Sequence, residues 1–228
     1  MSRSQPSNRI PNPSERWLEW NGQNGHFVYY DKDAQARRSV LFPFTFWWLD
    51  EMKAIGGFDS KGKSRIYSNE IRDTQTDAFI VKSFNSGTLA EGLYKDIKKD
   101  VEANDGYYVA SVYIAFKREN SDSFMLGNIR FKRAALAAWL DFTKKHGKEI
   151  EEKAVTVTGY TEATTGRVTY RVPKFEVTET TAATQSAALA LDGELQAYLT
   201  AYLKRTVAER ADVERDVPQD ITAADIPF

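Results

Sequence analysis

The segment 39–52, SVLFPFTFWWLDEM, constrains the fold of this 228-residue chain more than any other stretch. Side chains on a strand point alternately to opposite faces, so apolar residues at every second position predict a strand with one buried face. That face comprises Val40, Phe42, Phe44, Phe46 and Trp48. Pro43 cannot donate a ladder hydrogen bond, which predicts an edge position or a bulge at this point.

Further segments with period-two alternation predict a chain rich in β-strands. They are 16–20, 25–32, 64–73, 77–85, 106–119 and 123–132, with a hairpin at 155–179 that turns around ATTG. The turn NGQNG joins the first two, because Asn and Gly tolerate positive φ. Between the strand that ends at Met52 and the one that starts at Ser64, IGGFDSKGKS is expected to be a loop.

Helices are predicted in three places. Thr88 and Glu91 have the spacing of a capping box, which predicts a helix over 88–104. A second is expected in AALAAWLDFTKKH, and a third over 186–210, where the apolar positions recur at helical spacing. The apolar positions of the third helix are Leu195, Tyr198, Leu199 and Tyr202.

Composition and charge divide the chain into three parts. Residues 1–14 are polar and predict a flexible arm, 15–208 a single domain, and 209–228 a disordered acidic tail. The tail contains six acidic residues and two arginines, whereas the rest has 29 basic and 26 acidic side chains. A slightly basic body therefore carries an acidic tail, and this asymmetry favours an anionic partner for the body.

GFDSKGKS at 57–64 matches the phosphate-binding pattern G-x-x-x-x-G-K-[ST], which requires a strand before the loop and a helix after it. The residues that follow, RIYSNEIRD, have a strand pattern instead. We therefore interpret the segment as a basic loop between strands. A nucleotide hydrolase that uses 57–64 is kept as an alternative.

Other catalytic and metal sites have weaker support. The chain has no cysteine and only His26 and His146, which excludes thiolate zinc sites and histidine clusters. Glu70, Asp73 and Asp77 are carboxylates that can hold magnesium, but their spacing is equally typical of turn polarity. We expect no catalytic residue, no bound metal and no cofactor.

Aromatic and cationic residues interleave along several of the predicted strands, and aromatics make up 13% of the chain. Single-stranded nucleic acid is bound by flat rings that stack on bases and cations that contact phosphates. On this basis we select ten residues for a binding groove: Arg16, Trp17, Trp20, Tyr30, Arg65, Tyr67, Lys82, Phe84, Lys117 and Arg118. Packing of these rings in a core is the competing interpretation of each aromatic.

Three stretches resemble the single-stranded-DNA-binding (SSB-type) proteins of tailed bacteriophages. They are NPSERWLEWNGQNGHFVYYDK, LFPFTFWWLDEM and IYSNEIRD, and the resemblance extends over roughly residues 8–130. The last four residues, Asp225, Ile226, Pro227 and Phe228, separately resemble the acidic tip of bacterial SSB proteins, although bacterial tips have several acids in a row.

The resemblance implies an OB-fold, a five-stranded barrel, here elaborated with an extra hairpin and two or three helices. It also implies a non-catalytic protein that coats single-stranded DNA during phage replication, recombination or repair. The tail would recruit replication and recombination proteins and cover the groove when no DNA is bound.

The alternatives are the nucleotide hydrolase and a protein–protein adaptor without nucleic-acid binding. Self-association is compatible with this sequence. The first residues lack the apolar segment of a secretory signal, and no apolar run approaches the length of a bilayer span. We therefore expect a cytoplasmic protein, in the host cell if a phage encodes it, with no membrane partner.

Overall fold

The computed structural model describes residues 11–215 and has the predicted β-rich α+β architecture. Its strands are β1 (Arg16–Asn21), β2 (His26–Asp31), β3 (Ala36–Ser39), β4 (Phe44–Asp59), β5 (Ser64–Ser68), β6 (Phe79–Ser83), β7 (Gly87–Gly92), β8 (Gly106–Lys117), β9 (Phe124–Lys132), β10 (Ala154–Thr165) and β11 (Val168–Thr178). Its helices are α1 (Tyr94–Ala103), α2 (Arg133–Ile150), α3 (Ala182–Leu189), α4 (Asp192–Leu203) and α5 (Val207–Arg215).

The strands form one mixed sheet in the order β3-β2-β1-β9-β8-β4-β5-β6-β7. Among the strands between residues 11 and 215, only β1 and β9 pair in parallel, and the other neighbours are antiparallel. The 16-residue strand β4 organises the sheet. Its first residues pair with β10, its middle with β8 and its last residues with β5.

One side of this sheet curls around an aromatic core. Phe27 of β2 and Phe44 of β4 have ring centroids 5.6 Å apart, although their strands are not neighbours in the sheet. Phe44 also contacts Phe116 of β8 at 5.5 Å, and helix α2 covers the core with the fully buried Trp139. Edge-to-face aromatic pairs of this kind add to the hydrophobic stabilisation of their burial.

The apolar face predicted for 39–52 is confirmed. Phe44 and Phe46 are buried in the aromatic core, and Val40, Phe42 and Trp48 pack against it. Pro43 lies immediately before the first residue of β4, where it removes no ladder hydrogen bond.

The hairpin predicted at NGQNG is also confirmed. The Asn21 side chain accepts hydrogen bonds from the backbone N–H groups of Gln23 and Asn24, both at 3.0 Å. Gly25 has φ of 74°, and a Cβ on it would lie 2.5 Å from the Arg171 side chain. Glycine is therefore required there both for the backbone conformation and for the close approach of hairpin β10–β11.

Hairpin β10–β11 bends back to the β1–β2 turn but does not close the sheet. The Arg171 N–H donates to the Gly22 carbonyl at 2.7 Å, and the Trp20 indole donates to the Arg171 carbonyl at 2.8 Å. The end strands β3 and β7 do not pair with each other. The described residues thus form a strongly curled open sheet, and the predicted five-stranded closed barrel is not observed.

Two of the local predictions are wrong. The first half of the segment predicted as a loop, Ile55–Asp59, continues β4, so that only four residues turn before β5. Thr88 and Glu91 do not begin a helix but lie in β7, where Val81 pairs with Ala90. The pairing of β7 with β6 outweighs the local capping signal, and the helix begins only at Tyr94.

The helix predicted over 186–210 is divided among α3, α4 and α5, which gives more helices than the two or three expected. Its four apolar positions are all buried, as predicted. Helix α5 corrects the tail boundary, because residues 209–215 are helical rather than disordered. Thr206 and Glu209 form a reciprocal capping box that starts α5: the Glu209 carboxylate accepts from the Thr206 N–H at 2.9 Å.

The N-terminal boundary also shifts. The Asn12 side chain donates to the hydroxyl groups of Tyr113 and Tyr198, and Ser14 is buried, so the domain begins before residue 15. The predicted partner-binding residues Asp225, Ile226, Pro227 and Phe228 lie outside the described residues.

Candidate nucleic-acid interface

The face of the sheet opposite the aromatic core carries a second group of charged and aromatic side chains. The strand register places Glu19 of β1, Arg130 of β9 and Tyr107 of β8 on this face. Glu70, which follows β5, accepts a hydrogen bond from the Tyr113 hydroxyl of β8 at 2.6 Å, although β4 lies between the two strands. The chain after β5 thus turns towards this side, and we call the face between β1 and β6 the trough.

The trough brings together four of the ten residues selected from the sequence. Tyr67 pairs directly with Lys82 across β5 and β6, and the Phe84 N–H donates to the Arg65 carbonyl, so the four side chains share one face. The Tyr67 and Phe84 rings lie 5.2 Å apart, and the Arg65 guanidinium lies 5.9 Å from the Tyr67 ring centroid. Phe84 is 43% exposed, whereas Tyr67 and Arg65 are largely buried.

A second cationic group in the trough was not among the selected residues. Arg130 and Lys132 alternate along β9 and face the trough, and Lys132 lies over the ring of Tyr107, which β8 contributes. The alternation N-I-R-F-K of residues 128–132 indicates that Arg130 and Lys132 share one face of the strand. The aromatic residue between them, Phe131, lies on the opposite face in the core, so no ring alternates with these cations on their own face of β9.

Lys132 forms an ion pair with Glu19 at 2.9 Å, and both side chains are largely buried. Burial alone disfavours the charged form of each group. The paired charges outweigh this effect, since the pKa of Glu19 is lowered and that of Lys132 is raised to about 12. The trough therefore keeps its lysine charged at physiological pH.

Trp17 and Tyr30 lie on the trough side but at its β1–β2 margin. Trp17 is opposite Asn128 of β9, and Tyr30 is opposite Arg37 of β3. Trp17 is half-buried, and Tyr30 is 38% exposed. Both rings are thus accessible, and they extend the aromatic surface away from Tyr67.

The remaining four selected residues lie elsewhere. Trp20 and Arg16 are on the core side of β1, because their side chains point away from that of Trp17: Trp20 packs at 5.1 Å on Phe27, and Arg16 lies 4.3 Å from the Tyr29 ring centroid. Lys117 and Arg118 lie at the β8–β9 turn, where acidic side chains neutralise them. Lys117 pairs with Asp122 at 3.0 Å, and Arg118 pairs with Glu15.

The C-terminal helices cover part of the trough. Leu195 and Tyr198 of α4 pack on Met52 and Tyr113 of β4 and β8. Helix α5 packs on β5 and β6, and its Asp212 carboxylate forms an ion pair with Lys82 at 2.7 Å. Arg65, Tyr67 and Arg130 are buried beneath this cover, and Phe84 is the most exposed of the ring and cation side chains between β9 and β6.

The loop of the phosphate-binding pattern has a different geometry from the one that the pattern requires. Strand β5, not a helix, follows it, and the Asp59 carboxylate already accepts the N–H groups of Lys61 and Gly62 at 3.0 and 2.9 Å. These hydrogen bonds and those from Ser86 and Ser83 lower the pKa of Asp59 to about 2. A phosphate would have to displace a bound carboxylate from these N–H groups.

The three candidate metal ligands also have protein partners. Glu70 is buried, and its carboxyl group accepts from the Tyr113 hydroxyl at 2.6 Å. Burial raises the pKa of Glu70. Asp77 accepts the N–H groups of Arg72 and Asp73, as expected for turn polarity. Between residues 11 and 215, no cluster of three or more acidic or histidine side chains is suited to hold a metal ion.

The two histidines also have ordinary partners. The ring of His26 is 3.0 Å from the Ser39 hydroxyl, and that of His146 is 2.7 Å from the Glu149 carboxylate. No helix in the described part of the chain combines the length and the apolar character needed to cross a bilayer.

Comparison with known proteins gives no relative: no protein-family model, no curated protein and no solved structure matches this chain.

Proposed function

We propose that this chain binds single-stranded DNA without sequence specificity and has no catalytic activity. The observation that carries the proposal is the alternation of cations and rings on one face of the sheet, from Lys132 and Tyr107 to Arg65, Tyr67 and Phe84. Rings stack on any base and cations contact any phosphate, so such a surface accepts every sequence. Stacking on rings requires unpaired bases, which favours one strand over a duplex.

In this proposal the protein coats exposed strands during phage DNA replication, recombination or repair, in the cytoplasm of the host. The Asp225–Phe228 tip recruits replication and recombination proteins through its terminal ring and its carboxylate. The resemblance to SSB-type proteins supports these roles. The OB-fold assignment also rests on that resemblance and is kept as a hypothesis, because DNA binding in the trough requires only the curled sheet.

Titration of the full chain with oligothymidine tests the proposal, with a duplex of equal length as the control. Tryptophan fluorescence should be quenched by the single strand, because bases stack near Trp17 at the trough margin. If Lys82 and Lys132 contact phosphates, the slope of log affinity against log salt should be about −1.4. Equal affinity for the duplex, or no binding to either ligand, would favour the adaptor alternative.

Phe84→Ala locates the binding surface. Loss of one stacked base should weaken oligothymidine binding by about tenfold, since stacking contributes roughly 1–3 kcal/mol per base. Leu140→Ala is the matched control, because Leu140 is an apolar residue of similar exposure on α2, on the other side of the sheet. Equal affinity of the two variants would exclude the trough as the binding site.

A further inference from the structure

A cavity of about 340 Å³ lies where the tip of hairpin β10–β11 faces the start of α2. Trp20, Val168 and Tyr170 form its apolar walls, together with alanines of α2. Lys132, Arg133 and Arg171 also line it, and the carboxylates of Glu19 and Glu162 pair with Lys132 and Arg171. The cavity adjoins the trough, because Lys132 belongs to both and because Lys132 and Arg133 both lie over the Tyr107 ring.

Arg171 provides the most direct indication of a ligand. Its Nη1 donates to the Gln23 carbonyl, and its Nη2 pairs with Glu162 at 3.2 Å. Its Nε–H is buried and has no acceptor within residues 11–215. A buried donor without a partner destabilises the folded state, so an acceptor supplied by a ligand would be favoured here.

The start of α2 adds to the positive potential of the cavity. Lys132 at the N-cap makes no side-chain capping hydrogen bond, and the first turn has no acidic residue. The N–H groups of this turn therefore lack the negative partner that helix N-termini usually have.

The shape and chemistry of the cavity fit one class of ligand. Its volume is at the lower end of the range for small-molecule sites, about 300–1,000 Å³. Aromatic and aliphatic walls favour a flat apolar ring, and the start of α2 together with the buried Arg171 Nε–H favours a polar, negatively charged group beside it. A free phosphate would leave the apolar walls without a contact, and an apolar ring alone would offer no acceptor to the Arg171 Nε–H. A nucleotide satisfies both.

We propose that the cavity binds one nucleotide of the bound strand, with its base between the apolar walls and its phosphate near Lys132 and Arg133. The inference rests on the proposed function, since the trough delivers the strand to Lys132. It assigns to hairpin β10–β11 a role in binding, at one end of the DNA path.

Two variants at the hairpin tip test this site. Val168→Glu places a negative charge at the cavity, and Thr169→Glu places the same charge on the neighbouring residue, which does not line it. Both side chains are exposed, so neither change should unfold the protein. We expect Val168→Glu to weaken oligothymidine binding by about tenfold. Thr169→Glu should change it by no more than about twofold.

Two direct measurements accompany the variants. An oligothymidine with a single 5-iododeoxyuridine should form a photo-crosslink to Tyr170 or Trp20. Addition of dTMP to the wild-type chain should shift the NMR resonance of the Arg171 Nε–H, and inorganic phosphate should not reproduce this shift. An equal shift with phosphate would overturn recognition of the base.

The outcomes separate this inference from the proposed function. If oligothymidine binds and Phe84→Ala weakens it, but Val168→Glu behaves like Thr169→Glu and no crosslink reaches the hairpin, the cavity inference is wrong. If oligothymidine does not bind but dTMP shifts the Arg171 resonance, the cavity binds a free nucleotide and the proposed function is wrong.

Discussion

At the scale of single residues, the pleat of a strand determines which side chains can act together. Arg65 with Tyr67, and Lys82 with Phe84, are two apart on their strands, so each pair shares a face. Trp17 and Trp20 are three apart and lie on opposite faces. Trp20 is the one that enters the core, because it packs on Phe27, a residue of the neighbouring strand β2.

Asp59 yields a prediction about stability and pH. A carboxyl group whose pKa is lowered by folding stabilises the folded state above its unfolded pKa, about 3.9, and this contribution disappears as the pH falls through the folded value, about 2. We expect Asp59→Asn to lower the urea midpoint clearly at pH 6. The difference from wild type should shrink below pH 4 and vanish near pH 2.

The control for this measurement is Asp100→Asn, at an exposed position on α1. This substitution should leave the midpoint almost unchanged over the same range. A constant difference between Asp59→Asn and wild type from pH 6 to pH 2 would show that the side-chain shape, not its charge, stabilises the turn.

At the scale of elements, burial was easier to predict than boundaries. The spacing of Leu195, Tyr198, Leu199 and Tyr202 gave the buried face of α4 correctly. The composition of residues 209–228 predicted disorder, but the Thr206–Glu209 capping box and the burial of Ala211 extend the helical part to Arg215. The acidic composition of residues 209–228 masked the local helix signal at Thr206 and Glu209. This signal has the same S/T-x-x-E form as the one at Thr88, which does not begin a helix.

Helix α5 yields a prediction about DNA affinity. Its Asp212 forms an ion pair with Lys82, and the proposed function assigns Lys82 to a DNA phosphate. Asp212→Asn removes this competitor, and we expect oligothymidine to bind about two- to fivefold more tightly at low salt. An exposed ion pair contributes only about 0–1 kcal/mol to folding, so the thermal midpoint should change little.

Asp122→Asn is the matched control for this change. It breaks a similar surface pair, that of Asp122 with Lys117 at 3.0 Å, but at the β8–β9 turn outside the trough. Its DNA affinity should equal that of wild type. If Asp122→Asn tightened binding and Asp212→Asn did not, the DNA path would run past Lys117 and not through the trough.

At the scale of the whole molecule, the curl of the sheet determines both candidate sites, and no local pattern predicted it. Period-two alternation predicted most strands of the aromatic core, but not the parallel contact of β1 with β9 or the return of hairpin β10–β11 to the β1–β2 turn. These contacts join residues far apart in the chain, such as Gly22 and Arg171, whose pairing depends on the shape of the finished core.

Gly25 provides a test of that return. Alanine there would have to adopt φ of 74° and would place its Cβ 2.5 Å from Arg171 and 2.6 Å from Tyr160. The left-handed backbone costs about 1–2 kcal/mol and overpacking about 1–3 kcal/mol, so Gly25→Ala should lower the free energy of unfolding by about 2–5 kcal/mol. Gly147→Ala, within α2 and with open space around it, should instead raise it by up to about 1 kcal/mol. Urea denaturation of both variants measures the difference in stability.

Because the contact with Gly25 also positions Arg171, Gly25→Ala should weaken dTMP binding as well, whereas Gly147→Ala should not. Unchanged stability of Gly25→Ala would mean that the hairpin does not lie against the turn in solution.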